Sequence, residues 1–371
     1  MNKGVYLPGL NGIRAIAALM VVIAHFPLLF GNYVGFSFSI YHERTPGSLA
    51  VTLFFVLSGY LITYLLILEK EKFKKIDLKA FYLRRILRIW PLYYLVIVLS
   101  VIVMFYLYNE NLLGKNSTSL KEIMLYLFFA GNYAQALYTD PLVHGFSILG
   151  IIWSVGVEEQ FYLFWPLLLK YFKKSIRVLI IFFVAYGMLK IIIRIFFVNT
   201  FLSPLINLTR LDCMAIGAIG ACLVLDPRLY AAYVSRFIFN RYVQVLSWLV
   251  FVIGFILLPM PLSIFSDDFY SVFFIIIIIN VSQNKKTLIS LESGIFNFLG
   301  RISYGIYMYH VMIMFVFQKL VPKPADNIFN YFLYLFIVIF LTIAVAYLSN
   351  RYIESWFLKK KSLIAKIKSQ N

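Results

Sequence analysis

The sequence predicts an all-α fold: a polytopic membrane protein of about ten transmembrane helices with both termini in the cytoplasm. Three observations lead there. Apolar residues make up 62% of the 371 residues and charged residues 13%, against roughly 45 to 50% and about 25% in soluble domains, so there is too little charge to coat a globule. Mean hydropathy is +0.86. Four uncharged runs, Gly47 to Leu68, Ile89 to Asn109, Tyr242 to Ser266 and Asn327 to Asn350, each exceed the ~20 residues that carry a helix across a bilayer core and far exceed a barrel strand. The same balance excludes a disordered chain, and two cysteines exclude a disulfide scaffold.

Taken in order, the N-terminal MNKGVYLPGLNG lacks the charged, apolar and cleavage-site series of a secretory signal, so the first span, Ile13 to Phe30, is expected to stay in the protein. Gly47 to Leu68 and Ile89 to Asn109 follow as uninterrupted spans. Ile123 to Thr139 begins apolar but ends in the polar GNYAQ, which predicts a partial or re-entrant helix. Ile148 to Leu169 is apolar and aromatic except for two glutamates, and Ile176 to Val198 is interrupted by Lys190 and Arg194. Leu211 to Leu225 holds both cysteines; nine steps of 100° put Cys213 and Cys222 on opposite sides of one helix, where they cannot bridge. Tyr242 to Ser266, Phe269 to Gln283, Ile295 to Gln318 and Asn327 to Asn350 complete the ten, in a single membrane domain covering 1–371.

Orientation follows from the basic residues between spans. The N-terminus, the segments 69–90, 170–177, 226–241 and 284–293, and the tail after Asn350 together hold 24 of the 34 Lys and Arg, and the opposite loops hold five. The formal net charge of +18 is therefore an inner-face feature that orients the protein, and it does not argue for nucleic acid.

An ionisable residue inside a span costs at least roughly 2.5 to 3.5 kcal/mol on insertion scales, so each one marks a candidate site. Lys190 and Arg194, one turn apart, read as side chains whose long stems snorkel to the interface. Arg210 and Asp212 open a span and read as an interfacial ion pair. Arg14 and His25 are eleven residues apart, which returns them to within about 20° on one helix face, about 16 Å apart along the axis. Either they are a membrane-end arginine and a packing histidine, or His25 accepts a proton from an alcohol as a general base. Glu158 and Glu159 point about 100° apart, so one at most faces a given partner squarely; a catalytic carboxylate and a structural ion pair both fit. In KAFYLRRILRIWPLYY, Arg84, Arg85 and Arg88 share a helical surface. They suit either an orientation flank beside anionic membrane lipid or a clamp on a ligand with several phosphates.

These motifs in their order resemble the acyltransferase family three membrane proteins. The blocks are LPGLNGIRAIAALMVVIAHF, LFFVLSGYLITYLL, FYLRRILRIWPLYY, IIWSVGVEEQFYLFWPLLL, TRLDCMAIGAIGACL, LGRISYGIYMYHVMIM and RYIESWF. Asn11 stands where an aspartate is common in that family, and Gly156 where a larger residue is usual. The resemblance implies transfer of an acyl group, usually acetyl from acetyl-CoA, to a hydroxyl of a cell-surface or exported carbohydrate or glycolipid, in the bacterial inner membrane and without a metal. It implies catalytic roles for His25, Arg14 and Glu158, with Glu158 orienting His25, and donor binding by Arg84, Arg85 and Arg88. His310, in SYGIYMYH, matches a motif histidine with no assigned role. Some relatives append an esterase-like domain; a chain reaching only to Asn371 is expected to act alone. The rival reading is a transporter or flippase for a lipid-linked glycan, since intramembrane Arg, Glu and His also mark substrate pathways. Loops 31–46, 109–147 and 259–269, with Tyr33, Phe36, Phe38, Tyr41, Tyr133 and Tyr138, are expected to form the acceptor's mouth.

Overall fold

The computed structural model describes residues 5–31, 46–108, 120–138, 148–172, 175–256, 265–322 and 327–364, and every regular element among them is helical. The first helix, α1 (Leu10–Phe30), starts behind Gly9, whose φ of 68° lies in the left-handed region that glycine alone enters without strain. A Cβ there would also strike the Val281 side chain. The turn is fastened by Glu292, which accepts from the Gly9 N–H at 2.5 Å and from the Tyr6 hydroxyl.

Two long helices follow, α2 (Pro46–Phe73) and α3 (Leu78–Tyr108). The expected partial helix is two short ones, α4 (Leu120–Leu127) and α5 (Gly131–Tyr138), separated where Phe129 turns to a φ of 58°. A 3-10 turn over Ile148–Ile152 leads into α6 (Trp153–Tyr171), then α7 (Ser175–Phe196), α8 (Leu202–Thr209) and α9 (Leu211–Leu225). A short α10 (Pro227–Leu229) runs into a π-helical stretch, and with α11 (Arg241–Ile256) it forms a pair bent by 71°. The bundle closes with α12 (Ser266–Gln283), α13 (Gly294–Arg301), α14 (Ser303–Leu320), α15 (Ile328–Ser349) and, beyond a π turn, α16 (Ser355–Ile364).

Seven of these segments are long and apolar enough to cross a membrane, or eight with the bent pair counted as one. The two expected spans outside that count are 148–169 and 295–318. Their helices, α6 and α14, are more polar: α6 carries Glu158 and Glu159, and α14 carries three tyrosines and His310. α14 is buried along most of its length, and α6 faces the interior with one side while Leu163 and Leu167 stand exposed on the other. The lipid-facing surfaces are elsewhere, on α7, α11 and α15, where large apolar side chains such as Ile181, Ile195, Leu249 and Phe336 stand exposed.

The tightest packing is α2 on α9. A Cβ at Gly59 would collide with the Met214 carbonyl, and one at Gly217 with the Val56 carbonyl. Small residues at such a crossing let two backbones touch, which is how helices gain contact where lipid offers no hydrophobic drive. Locked on that side, α2 turns a separate face, containing Phe54, Ser58 and Leu61, toward an internal cavity.

Two readings of the buried charges are corrected. Lys190 does not snorkel: it is 2% exposed and pairs with Asp268 at 3.0 Å and with Asp212. Arg210 and Asp212 do not pair with each other, since Arg210 reaches Asp267 at 3.4 Å and Thr52 at 2.8 Å. Periodicity could not reveal this because the partners come from α2, α7, α9 and α12. The network joins these four helices, and each charge is retained inside a low dielectric by an opposite charge and a hydrogen bond. Both cysteines are reduced and buried.

Candidate active site

The internal cavity is bounded by α1, α2, α3, α6, α14 and α16. Along α2 its wall runs from Val51 to Leu65, fourteen helical steps or about 21 Å. With its open mouth it includes about 1010 Å³ of atom-free space, part of it open to solvent. Polar groups converge on it from separate parts of the chain: Arg14, Arg85, Arg88 and Lys361, with Glu158 the one carboxylate in the wall.

The two ends of α1 play different parts. Arg14 is held by Asn11, whose Oδ1 accepts from Nη1 at 3.1 Å, and Asn11 in turn donates to Asn297 at 3.1 Å. The partner is an amide, so it fixes the guanidinium without neutralising it. On α3, the Arg85 guanidinium lies over Tyr162, 5.6 Å from the ring centroid, and its Nε is buried without a hydrogen-bond partner. Arg84 points elsewhere: it pairs with Glu69 at 3.2 Å and is absent from the cavity wall.

The two glutamates diverge as their 100° offset requires. Glu158 accepts from the Tyr162 hydroxyl at 2.8 Å. With its single proton committed there, the Tyr162 oxygen accepts from the Ser58 hydroxyl at 2.5 Å, and all three side chains face the cavity. Glu159 turns to α3, accepting from the Trp90 indole at 3.0 Å.

His25 is half-buried and lies outside the cavity wall. Its Nδ1 is 2.9 Å from the Val21 carbonyl and 3.2 Å from His310 Nε2. His310 is fully buried, and its Nδ1 lies 2.6 Å from the Tyr307 carbonyl. A carbonyl oxygen only accepts, so both Nδ1 atoms carry protons. His310 Nε2 therefore holds a lone pair facing His25 Nδ1–H, and the lone pair of His25 is on Nε2. Thus the ring bonded to His25 is His310, whereas Glu158 is bonded to Tyr162. Between the cavity and His25 stand Tyr307 and His310: Phe54 and Tyr307 both line the cavity, with ring centroids 5.9 Å apart, Tyr307 is 5.9 Å from His310, and His310 is bonded to His25. Tyr307 is itself fixed, donating to the Ile151 carbonyl at 2.7 Å and accepting from Ser154 at 2.6 Å.

Sequence reasoning thus found four of the groups around the cavity and its neighbour His25, and missed Ser58, Tyr162, Tyr307 and Lys361. A signal existed for Tyr307, three residues before His310 and therefore on its face. The expected acceptor mouth falls mostly on residues 32–45, 109–119, 139–147 and 257–264, outside those described. Asp212, Cys213 and Asp268 have metal-ligand spacing among the described residues, but the Lys190 ammonium already bridges both carboxylates.

Residues 7–351 match a family profile described as an acyltransferase domain. A Staphylococcus aureus (strain COL) protein, provisionally named an O-acetyltransferase, is 30% identical over 96% of this chain and 58% of its own length. The peptidoglycan O-acetyltransferase OatA of Listeria monocytogenes is 26% identical over 94% of this chain and 55% of its own, and the O-acetyltransferase OatA of Staphylococcus aureus (strain NCTC 8325) 28% over 96% and 58%. The chain therefore spans a little over half the length of these relatives. No solved structure matches. With nearly all of its helices inside the matched segment, the chain belongs to the acyltransferase-domain family of membrane proteins.

Proposed function

We propose that the protein is an inner-membrane O-acyltransferase that moves an acetyl group from cytoplasmic acetyl-CoA to a hydroxyl of a cell-envelope carbohydrate. The observation that carries this reading is the cavity, where three guanidiniums and an ammonium face one carboxylate beside a tautomer-fixed histidine pair. Such an excess of cations in a partly desolvated site calls for a polyanion, and guanidinium forks suit phosphate oxygens. Arg85, with its unpartnered buried Nε, and Arg88 hold the phosphates of the donor, and Arg14 lies on the same wall.

The donor thioester supplies the electrophilic carbonyl. His25 Nε2 takes the proton of the sugar hydroxyl as its oxygen attacks that carbonyl, the carbon–sulfur bond breaks, and the thiolate leaves with the proton to become the CoA thiol. While His25 is an imidazolium, its Nδ1–H is a charge-assisted donor to His310 Nε2, which stabilises it. Glu158, fixed by Tyr162 and Ser58, offsets part of the arginine charge along the donor's path. His25 lies outside the cavity wall, behind Tyr307 and His310, so the thioester end must pass beyond that wall to meet it.

Purified protein in lipid nanodiscs, supplied with acetyl-CoA and a glycan acceptor, tests the reading. Ester formation with stoichiometric CoA release, abolished by His25→Ala in protein that still inserts, is expected. Glycan movement across the bilayer without acetylation would replace the enzyme by a transporter.

A further inference from the structure

One cation of the cavity lies outside every motif that suggested the site. Lys361 is on α16, ten residues past the end of the family match at 351. It reaches the wall because α16 folds back along α3, the helix that carries Arg85 and Arg88.

The charges it meets there are of its own sign. Arg14, Arg85 and Arg88 line the same wall, while Arg84 is turned away to Glu69. Its neighbour Lys360 behaves differently, exposed and seated over the Trp356 ring at 3.5 Å from the centroid. A lysine with a flexible four-carbon stem could swing to water, yet Lys361 is half-buried in the wall beside Arg85 and Arg88. Among the described residues of the wall four cations stand against Glu158, with Glu354 and Glu159 behind it near Arg88 and Arg85. Like charges at a shared, partly desolvated site repel unless an anion joins them.

We infer that Lys361 is a further binding residue of this cavity, a fourth cation for the phosphate groups of its ligand. The inference rests on the cavity being the donor site, and it makes α16 a wall of that site. A phosphate could also belong to a lipid headgroup, so the test separates the two sources.

CoA binding is measured by titration calorimetry on the full chain in nanodiscs of purely zwitterionic lipid, for the wild type, Arg85→Ala, Lys361→Ala, Lys361→Arg and Lys360→Ala. Lys361→Ala is expected to weaken CoA about 5- to 20-fold, as loss of one charge-assisted contact does, with Lys361→Arg restoring most of it and Lys360→Ala matching the wild type. In turnover, the Lys361→Ala defect should fall mainly on the KM for acetyl-CoA. If Arg85→Ala weakens CoA while Lys361→Ala binds it as the wild type does, the inference fails and the donor reading stands. A second titration adds a soluble anionic phospholipid in place of CoA: if Lys361→Ala loses only that binding and keeps wild-type CoA affinity, the lysine belongs to headgroups and the inference is overturned. If the wild type does not bind CoA, the donor reading fails and the inference falls with it.

Discussion

The contact most open to a quantitative test is the one between the two histidines. His310 Nε2 accepts from His25 Nδ1–H at 3.2 Å, and its own orientation is set by the 2.6 Å bond to the Tyr307 carbonyl. In the ground state the His25 proton is shared with the Val21 carbonyl, so the second acceptor adds little. When His25 becomes an imidazolium, the same bond is charge-assisted, and bonds to charged groups contribute about 1.5 to 3 kcal/mol. At about 1.4 kcal/mol per tenfold in rate, His310→Phe, which keeps a ring in the fully buried site, should lower kcat roughly 10- to 150-fold. The KM for acetyl-CoA should stay within about twofold, because His310 is not in the cavity wall. His310→Gln offers an amide oxygen to the same Nδ1–H and should recover part of the loss. The assay is transfer of radiolabelled acetyl from acetyl-CoA to a glycan acceptor by purified protein, at saturating and limiting donor. A His310→Phe enzyme with wild-type kcat would refute the positioning role. Equal loss in the Phe and Gln variants would show that packing, not the acceptor atom, matters.

Arg85→Ala should raise the KM for acetyl-CoA roughly 10- to 100-fold, since a buried guanidinium on phosphate is worth about 1.5 to 3 kcal/mol, read from initial rates against donor concentration. Arg84→Ala should instead lower the thermal midpoint in detergent, because it leaves Glu69 buried with its ion pair broken, at a cost of about 3 kcal/mol or more. Gly217→Leu should force α9 away from the Val56 carbonyl and destabilise by about 1 to 3 kcal/mol or more, seen as a lower melting midpoint or loss of folded yield. Lys190→Met should destabilise by about 3 to 5 kcal/mol by leaving Asp212 and Asp268 uncompensated, and adding Asp212→Asn should recover part of that midpoint.

The all-α class and most of the helix order were legible because twenty apolar residues in a row admit few other structures. What was not legible was which helices face lipid. α6 and α14 are polar because they line the cavity, so composition alone rates them as weak spans, although the motifs Glu158, Tyr162, Tyr307 and His310 sit on them. Lys190 shows the converse error. Its sequence neighbours suggested an outward lysine, but what decides a buried charge is its partner, and Asp268 is 78 positions away.

The site shows the same limit at finer scale. Arg84, Arg85 and Arg88 were equivalent candidates, because both 84/88 and 85/88 share a helical surface. Rotation does not separate them, since Arg84 is only about 40° from Arg88; their neighbours do: Arg85, Arg88 and Ile89 line the cavity, whereas Arg84, a turn nearer the start of α3, meets Glu69 near the end of α2. His25 was found through its spacing from Arg14, and spacing supplied the face but not the partner, so a nearby carboxylate was the natural expectation. The ring that meets it comes from 285 positions along the chain. Once the Tyr307 carbonyl holds His310 Nδ1 and the Val21 carbonyl lies at His25 Nδ1, the two rings have one consistent order of donors. That order puts the basic nitrogen of His25 at Nε2, which is the atom a general base needs.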